Sequence, residues 1–115
     1  MNVLIIEDEK PAGERLAAMV HEYDPTIRIL ATLRSVKEAR EWFASQNRLD
    51  VILADIQLND GLSLEIFKNK AMHPPIIFTT AFDEYLIKAF EFNSIDYLLK
   101  PIQKTKLFHA LDKYI

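Results

Sequence analysis

Glu7, Asp8 and Glu9 follow a short apolar run, Val3-Leu4-Ile5-Ile6. Asp55 ends another, Val51-Ile52-Leu53-Ala54, and Lys100 ends a third, Tyr97-Leu98-Leu99, with Pro101 behind it. Runs of this kind read as strands buried on both faces of a parallel sheet. In such sheets ligands bind outside the carboxyl ends of the strands. The three strand ends would therefore gather carboxylates and one ammonium at a single edge, which is the composition of a magnesium and phosphoryl site.

Magnesium takes oxygen ligands, one or two of them carboxylates, and keeps several waters. Asp8 and Asp55 can supply the carboxylates, Glu7 can hold a metal-bound water or orient Asp8, and the backbone carbonyl of Gln57 can add a ligand. Carboxylates this close repel, so the set argues for a divalent cation in the working state. Lys100 can bind phosphate as a point charge. Thr80, expected at a strand end near solvent, offers a hydroxyl to a phosphoryl oxygen. Asp55 can serve as a carboxylate nucleophile and accept the group as an aspartyl-phosphate. Phosphoryl transfer needs little beyond such positioning and charge stabilisation.

The elements that must hold these residues alternate along the chain. Strands are expected at Val3–Ile6, Ile27–Thr32, Val51–Ala54, Ile76–Thr79 and Asp96–Leu99. Pro11 suits the first turn of a helix, and Ala12, Leu16, Met19, Val20 and Tyr23 give it a buried stripe. Ser35-Val36-Lys37-Glu38 has capping-box spacing before a second helix. Asn59-Asp60-Gly61 is a turn, and Leu62, Leu64, Ile66 and Phe67 belong to a third helix. A fourth is expected over Glu84–Phe92, and the last starts near Gln103 and carries Leu107, Leu111 and Tyr114. Strands alternating with helices mean right-handed βαβ units and a parallel sheet. The fold class is therefore α/β, a doubly wound five-stranded sheet of order 2-1-3-4-5, flavodoxin-like, with five helices. Its switch point lies between strands one and three, where Glu7, Asp8 and Asp55 stand.

The 115 residues suit one domain, residues 1–115. A chain this long can bury a core without staples. The absence of cysteine excludes disulfides, thiolate metal sites and a cysteine nucleophile. A net charge of -3 gives no support to a nucleic-acid surface. No stretch approaches the ~20 apolar residues of a membrane span, and a cytoplasmic protein is the default.

The chain resembles the receiver domain of bacterial two-component response regulators over essentially its whole length. The resemblance is carried by Ile6-Glu7-Asp8-Glu9, by Asp55-Ile56-Gln57-Leu58 with Asp60-Gly61 after it, by Thr80-Ala81, and by Asp96-Tyr97-Leu98-Leu99-Lys100-Pro101. Singly each is weak; together, in order and on the right elements, they are specific. The resemblance implies that Asp55 is the phosphoacceptor, Glu7 and Asp8 the acidic pocket, Thr80 the switch hydroxyl, Tyr97 the switch aromatic and Lys100 the family's lysine. It also implies a cis Lys100–Pro101 bond, Mg2+ as cofactor and a sensor histidine kinase as partner. Asn59 stands where many receivers have proline, and Gly61 comes early. This short loop, with Phe92-Asn93-Ser94-Ile95-Asp96-Tyr97, looks like the receivers of regulators that carry a LytTR DNA-binding domain. Contact with DNA would then come only through a C-terminal effector absent from this chain.

Phosphorylation is expected to drive homodimerisation. On a helical wheel over 84–92, Tyr85, Ala89 and Phe92 form one apolar stripe, while Leu86 and Phe90 fall about 100° from it. The second stripe should be partly exposed, which marks an interaction site.

Simpler readings exist for single residues. One acidic residue at a strand end is usually a solvated cap, but here five strand-end positions carry the needed type. Asp60 and Asp96 read as turn and surface residues, Tyr97 also fits a core role, and Trp42 fits packing. His21, His73 and His109 read as surface residues. Three rival functions stay open: an aspartate-nucleophile phosphatase, a nucleotide or flavin binder, and a degenerate receiver acting only as an interaction module. The first lacks an Asp-x-Asp at its first strand. The second lacks a glycine-rich phosphate loop. The third is disfavoured by the intact acid, threonine and lysine set. A free-standing receiver and a domain of a longer regulator are both compatible with the chain, and the LytTR-like features favour the second.

Overall fold

A computed structural model describes residues 1–44, 48–68, 73–82 and 94–114. The helix expected over 84–92, with Leu86 and Phe90, falls outside them. Among the described residues the strands are β1 (Asn2–Ile6), β2 (Arg28–Leu33), β3 (Val51–Asp55), β4 (Gln57–Leu58), β5 (Gly61–Leu62), β6 (Ile76–Thr80) and β7 (Ser94–Leu99). The helices are α1 (Lys10–Tyr23), α2 (Val36–Phe43), α3 (Leu64–Phe67) and α4 (Lys104–Tyr114).

The large sheet has the order β2-β1-β3-β6-β7, and all its pairings are parallel. This is the expected 2-1-3-4-5, because β4 and β5 form a separate antiparallel pair. The apolar runs explain it. Every residue of β3 and of β6 is buried, as strands covered on both faces must be. Successive side chains point to opposite faces, and the core divides accordingly. Leu4, Ile6, Ile52, Ala54, Ile76 and Phe78 pack with α2 and α3. Val3, Ile5, Val51, Leu53 and Ile77 pack with α1 and α4.

Local chemistry sets the helix starts. Pro11 lies in the first turn of α1. At Ser35 the side chain accepts from the Glu38 N–H at 3.0 Å and caps α2. Gly13 lets α1 approach the sheet closely, since an added Cβ would stand 3.2 Å from Thr32 Cγ2 and 3.8 Å from Glu7 Cγ.

Two expectations need correction. Leu62 is not helical: Gly61, at φ +143°, turns the chain, and Leu62 pairs with Gln57. The fifth long strand starts at Ser94 rather than Asp96, because the ladder to β6 takes in Ser94 opposite Ile76. Five helices were expected, and four lie among the described residues.

Candidate functional site

The carboxyl ends of β1, β3, β6 and β7 meet at one edge. Glu7 follows β1, and its N–H donates to Leu33 O at 2.8 Å, which fixes its backbone. Its side chain is only 3% exposed. Asp55 ends β3 and is 6% exposed. Lys100 follows β7, and its N–H donates to Thr80 O at 2.8 Å. From there the ammonium reaches across the edge to Glu7 Oε1 and Asp55 Oδ2, each at 2.8 Å. The second oxygens are also engaged. Glu7 Oε2 accepts from the Glu9 N–H at 3.1 Å, and Asp55 Oδ1 from the Gln57 N–H at 3.2 Å.

Asp8 stands beside this pair, half-buried. Glu7, Asp8 and Asp55 each bring one oxygen within 4.8 Å of the others. Three carboxylates therefore face one ammonium. Burial raises Asp8 above the ordinary carboxylate range, and a hydrogen bond and charge shared with Glu7 add to the rise. Burial also raises Asp55, against the opposing pull of Lys100. Burial alone would lower Lys100, but its bonds to Asp55 and Glu7 outweigh that and raise it. Burial, with the crowding of carboxylates around one ammonium, makes Asp8 and Asp55 hold their protons more tightly.

A cleft of about 380 Å³ opens over these groups, lined in part by Asp8, Asp55, Gln57, Asn59, Phe82 and Lys100. It is a polar cleft with a buried carboxylate at its floor, an arrangement that can accept an electrophile at Asp55 and hold a cation beside it.

The chain matches the response regulator receiver domain family over residues 3–112. It belongs to that family. The receiver is similar to the sensory transduction protein LytT of Enterococcus faecalis, with 36% identity over 98% of this chain and 47% of that protein. It is 37% identical to the positive alginate biosynthesis regulatory protein of Pseudomonas aeruginosa, over 98% of this chain and 46% of the relative. Among solved structures, the response regulatory domain of protein mrkE from Klebsiella pneumoniae superimposes with a TM-score of 0.87 at 29% identity, covering 99% of this chain and 94% of that one. The chain spans about half the length of the curated relatives it matches.

The receiver brings Glu7, Asp8, Asp55 and Lys100 together, and Gln57 lines the same cleft. The Lys100–Pro101 bond is cis. Thr80 differs from expectation. It is not near solvent but 1% exposed, and it does not line the cleft. Its Oγ1 accepts from the Phe82 N–H at 3.0 Å and donates to Phe82 O at 3.2 Å, so the turn after β6 holds the hydroxyl. Tyr97 is half-buried and packs against the core beneath α2 and α3.

Sequence reasoning passed over Phe82. Its backbone holds Thr80, and it stands 48% exposed at the cleft; an apolar residue two places past a strand end gave no signal. Asp60 is exposed, as expected, yet its carboxylate accepts from the Val36 and Lys37 N–H groups at 2.8 and 3.1 Å. Asp96 is half-buried and pairs with Lys113 at 2.9 Å. Trp42 is half-buried against Phe43. His21 and His109 are exposed, whereas His73 is half-buried beside the Phe67 ring.

Proposed function

We propose that this domain is a phosphorylation-controlled switch in which Asp55 takes a phosphoryl group from the phosphohistidine of a partner histidine kinase. The observation that carries the reading is the setting of Asp55: a buried carboxylate at the end of the central strand, on the floor of a cleft, between an ammonium and two further carboxylates. An oxygen of Asp55 attacks phosphorus, the bond from phosphorus to the donor imidazole nitrogen breaks, and the imidazole leaves with the electron pair. Lys100 already bridges Asp55 and Glu7, so its charge is in place for the phosphoryl oxygens.

The donor set suits Mg2+. The ion takes hard oxygen donors, carboxylates among them, and one oxygen from each of the three carboxylates lies within 4.8 Å of the others. Glu7, Asp8 and Asp55, with the Gln57 carbonyl, would hold the ion. When bound, it supplies charge neutralisation at the phosphoryl oxygens.

Thr80 and Tyr97 form the switch in this reading. The Thr80 hydroxyl must give up the hydrogen bond it donates to Phe82 O in order to donate to a phosphoryl oxygen on Asp55. Its movement inward opens space that Tyr97 can take. Such a two-state element turns a local charge change into a change of surface. The domain's own chemistry is confined to its phosphorylation and dephosphorylation. It works in the cytoplasm, and no described helix is long and apolar enough to cross a membrane. Residues 1–115 form one domain of a longer regulator whose C-terminal effector contacts DNA and sets transcription.

Incubation with acetyl phosphate and Mg2+ tests the assignment. One phosphoryl group should be added, labile to hydroxylamine, and Asp55→Asn should accept none. Label on Asp8 or Asp60 would overturn it. Thr80→Ala should still be phosphorylated but fail to shift the Tyr97 resonances in NMR; a shift equal to wild type would remove Thr80 from the switch.

A further inference from the structure

The hairpin β4–β5 begins two residues after Asp55 and forms one wall of the cleft through Gln57, Leu58 and Asn59. Its base is held by backbone bonds, Ile56 N–H to Thr79 O at 2.9 Å and Ser63 N–H to Ile56 O at 2.8 Å. Its ladder is only two pairs long, Gln57 with Leu62 and Leu58 with Gly61. A two-strand ribbon this short has little stability of its own.

Its tip is anchored elsewhere. The two carboxylate oxygens of Asp60 take separate donors, Oδ1 the Val36 N–H at 2.8 Å and Oδ2 the Lys37 N–H at 3.1 Å. These are two of the four N–H groups that the start of α2 leaves without helical partners. Ser35 serves a third, that of Glu38. Asp60 is thus shared between two elements far apart in sequence. The negative charge also meets the positive end of the helix dipole. Next to it, Gly61 at φ +143° brings the backbone to where a Cβ would lie 3.7 Å from Val36 Cγ2. Asp60 does not line the cleft.

We infer that Asp60 is a positioning residue for the phosphoacceptor site: by tying the hairpin tip to the start of α2, it holds the Gln57–Asn59 wall against Asp55. The inference rests on the reading of Asp55 as phosphoacceptor with a metal beside it. A displaced Gln57 loses its N–H bond to Asp55 Oδ1 and carries its carbonyl away from the metal position. The purely structural role, capping α2, is shared with Ser35, and this gives the control. Ser35→Ala weakens the same helix end without touching the hairpin.

The experiment compares wild type, Asp60→Ala, Asp60→Asn and Ser35→Ala by Mg2+ titration, by phosphorylation with acetyl phosphate, and by amide hydrogen exchange of residues 57–61. Asp60→Ala should weaken Mg2+ binding on the order of tenfold, the lower end for a group that supports a metal ligand. It should also speed exchange in the hairpin. Asp60→Asn keeps one acceptor oxygen and should fall between, and it serves in place of the alanine variant if that fails to fold. Ser35→Ala should match wild type in all three readouts at a comparable loss of melting temperature. If Asp60→Ala binds Mg2+ and exchanges as wild type does, or if Ser35→Ala reproduces its defects, Asp60 is a helix cap and nothing more. Failure of wild type to bind Mg2+ or to be phosphorylated would strike the function itself, while the exchange comparison still decides whether Asp60 holds the wall.

Discussion

At Lys100 one ammonium serves two buried carboxylates, so removing it should be costly even though the residue lies at a site. Its Nζ is 2.8 Å from both Glu7 Oε1 and Asp55 Oδ2. Breaking a buried pair from one side costs about 3–5 kcal/mol, because the remaining charge is left uncompensated. The lysine side chain is 27% exposed, so Lys100→Met should lose toward the lower end, about 3 kcal/mol. Urea unfolding without metal at neutral pH checks this; an unchanged midpoint would mean that water already serves both carboxylates. The two raised carboxyls give a second prediction. A carboxyl whose pKa is raised on folding binds its proton more readily in the folded state. Its contribution to stability is therefore greatest below the unfolded value of 3.8 and falls as pH rises through the folded pKa. Above that point the metal-free domain bears the full cost of burying these charges beside one another. Protons and Mg2+ thus compete for the same relief. The rise in melting temperature on adding Mg2+ should be small in acid and grow toward neutrality. It should shrink in Asp8→Ala, whose Mg2+ affinity should fall at least about tenfold, or ~1.4 kcal/mol. A Mg2+ effect that is independent of pH, or an unaltered titration in Asp8→Ala, would contradict the site.

Between elements, α1 and α4 are joined by polar side chains over their shared apolar contact. Tyr23 OH donates to Asp112 Oδ1 at 2.6 Å, its ring lies 5.3 Å from that of Phe108, and Lys104 meets Glu22 at 2.8 Å. The bond to Asp112, followed by burial, pushes Tyr23 up to about 12. A group raised in this way contributes stability that is complete below its unfolded value of 10.0 and is lost as pH rises through about 12. Tyr23→Phe should flatten that alkaline limb of the melting curve. At neutral pH it should cost less than about 1 kcal/mol, because the bond is exposed to solvent. An alkaline limb that survives the substitution would assign it to other groups. The same scale shows what a sequence can reveal. The long strands were legible because each is a continuous apolar run, and topology alone then brings Glu7, Asp8, Asp55 and Lys100 to one edge. The hairpin was not, since two-residue strands carry no periodicity and Leu62, Leu64, Ile66 and Phe67 suit a helix equally well. What decides it is Gly61 and a tie from Asp60 to Val36 and Lys37, long-range contacts that no local pattern announces. Thr80 was legible as the end of its strand, but its burial was not. Nor was the direction of its hydroxyl, because the turn at Phe82 sets it.

At the scale of the whole molecule, the proposed switch residue Tyr97 lines a groove open to solvent. Strand β7 is an edge of the sheet, and Leu99 near its end is 47% exposed. With Tyr97, Lys106 and His109 it lines a groove of about 490 Å³ between β7 and α4. Leu86 and Phe90, the residues first expected to form the contact, lie outside the described residues. Leu99 taken alone is an ordinary exposed side chain, and it marks a contact only as part of the larger apolar surface expected to continue over 84–92. A patch that is complementary to itself gives a two-fold dimer. A stable interface covers about 800 Å² on each partner, about an eighth of this domain's 6652 Å² surface, so the contact must extend beyond the groove. Even so, a lysine placed at its centre would bury an unpaired charge, and centres of interfaces tolerate that poorly. The expected behaviour is a monomer at rest and a dimer once Asp55 is phosphorylated and Tyr97 has moved. Light scattering with and without beryllofluoride reads it directly. Wild type should double in mass on activation, while Leu99→Lys should stay monomeric yet accept phosphate from acetyl phosphate at the wild-type rate. Leu86→Lys and Phe90→Lys should behave as Leu99→Lys does if the same face continues onto them. Should activated wild type remain monomeric at high concentration, the dimer is wrong. Should a folded Leu99→Lys dimerise as well as wild type, the dimer uses another face, and Tyr97 would have to signal by a different route.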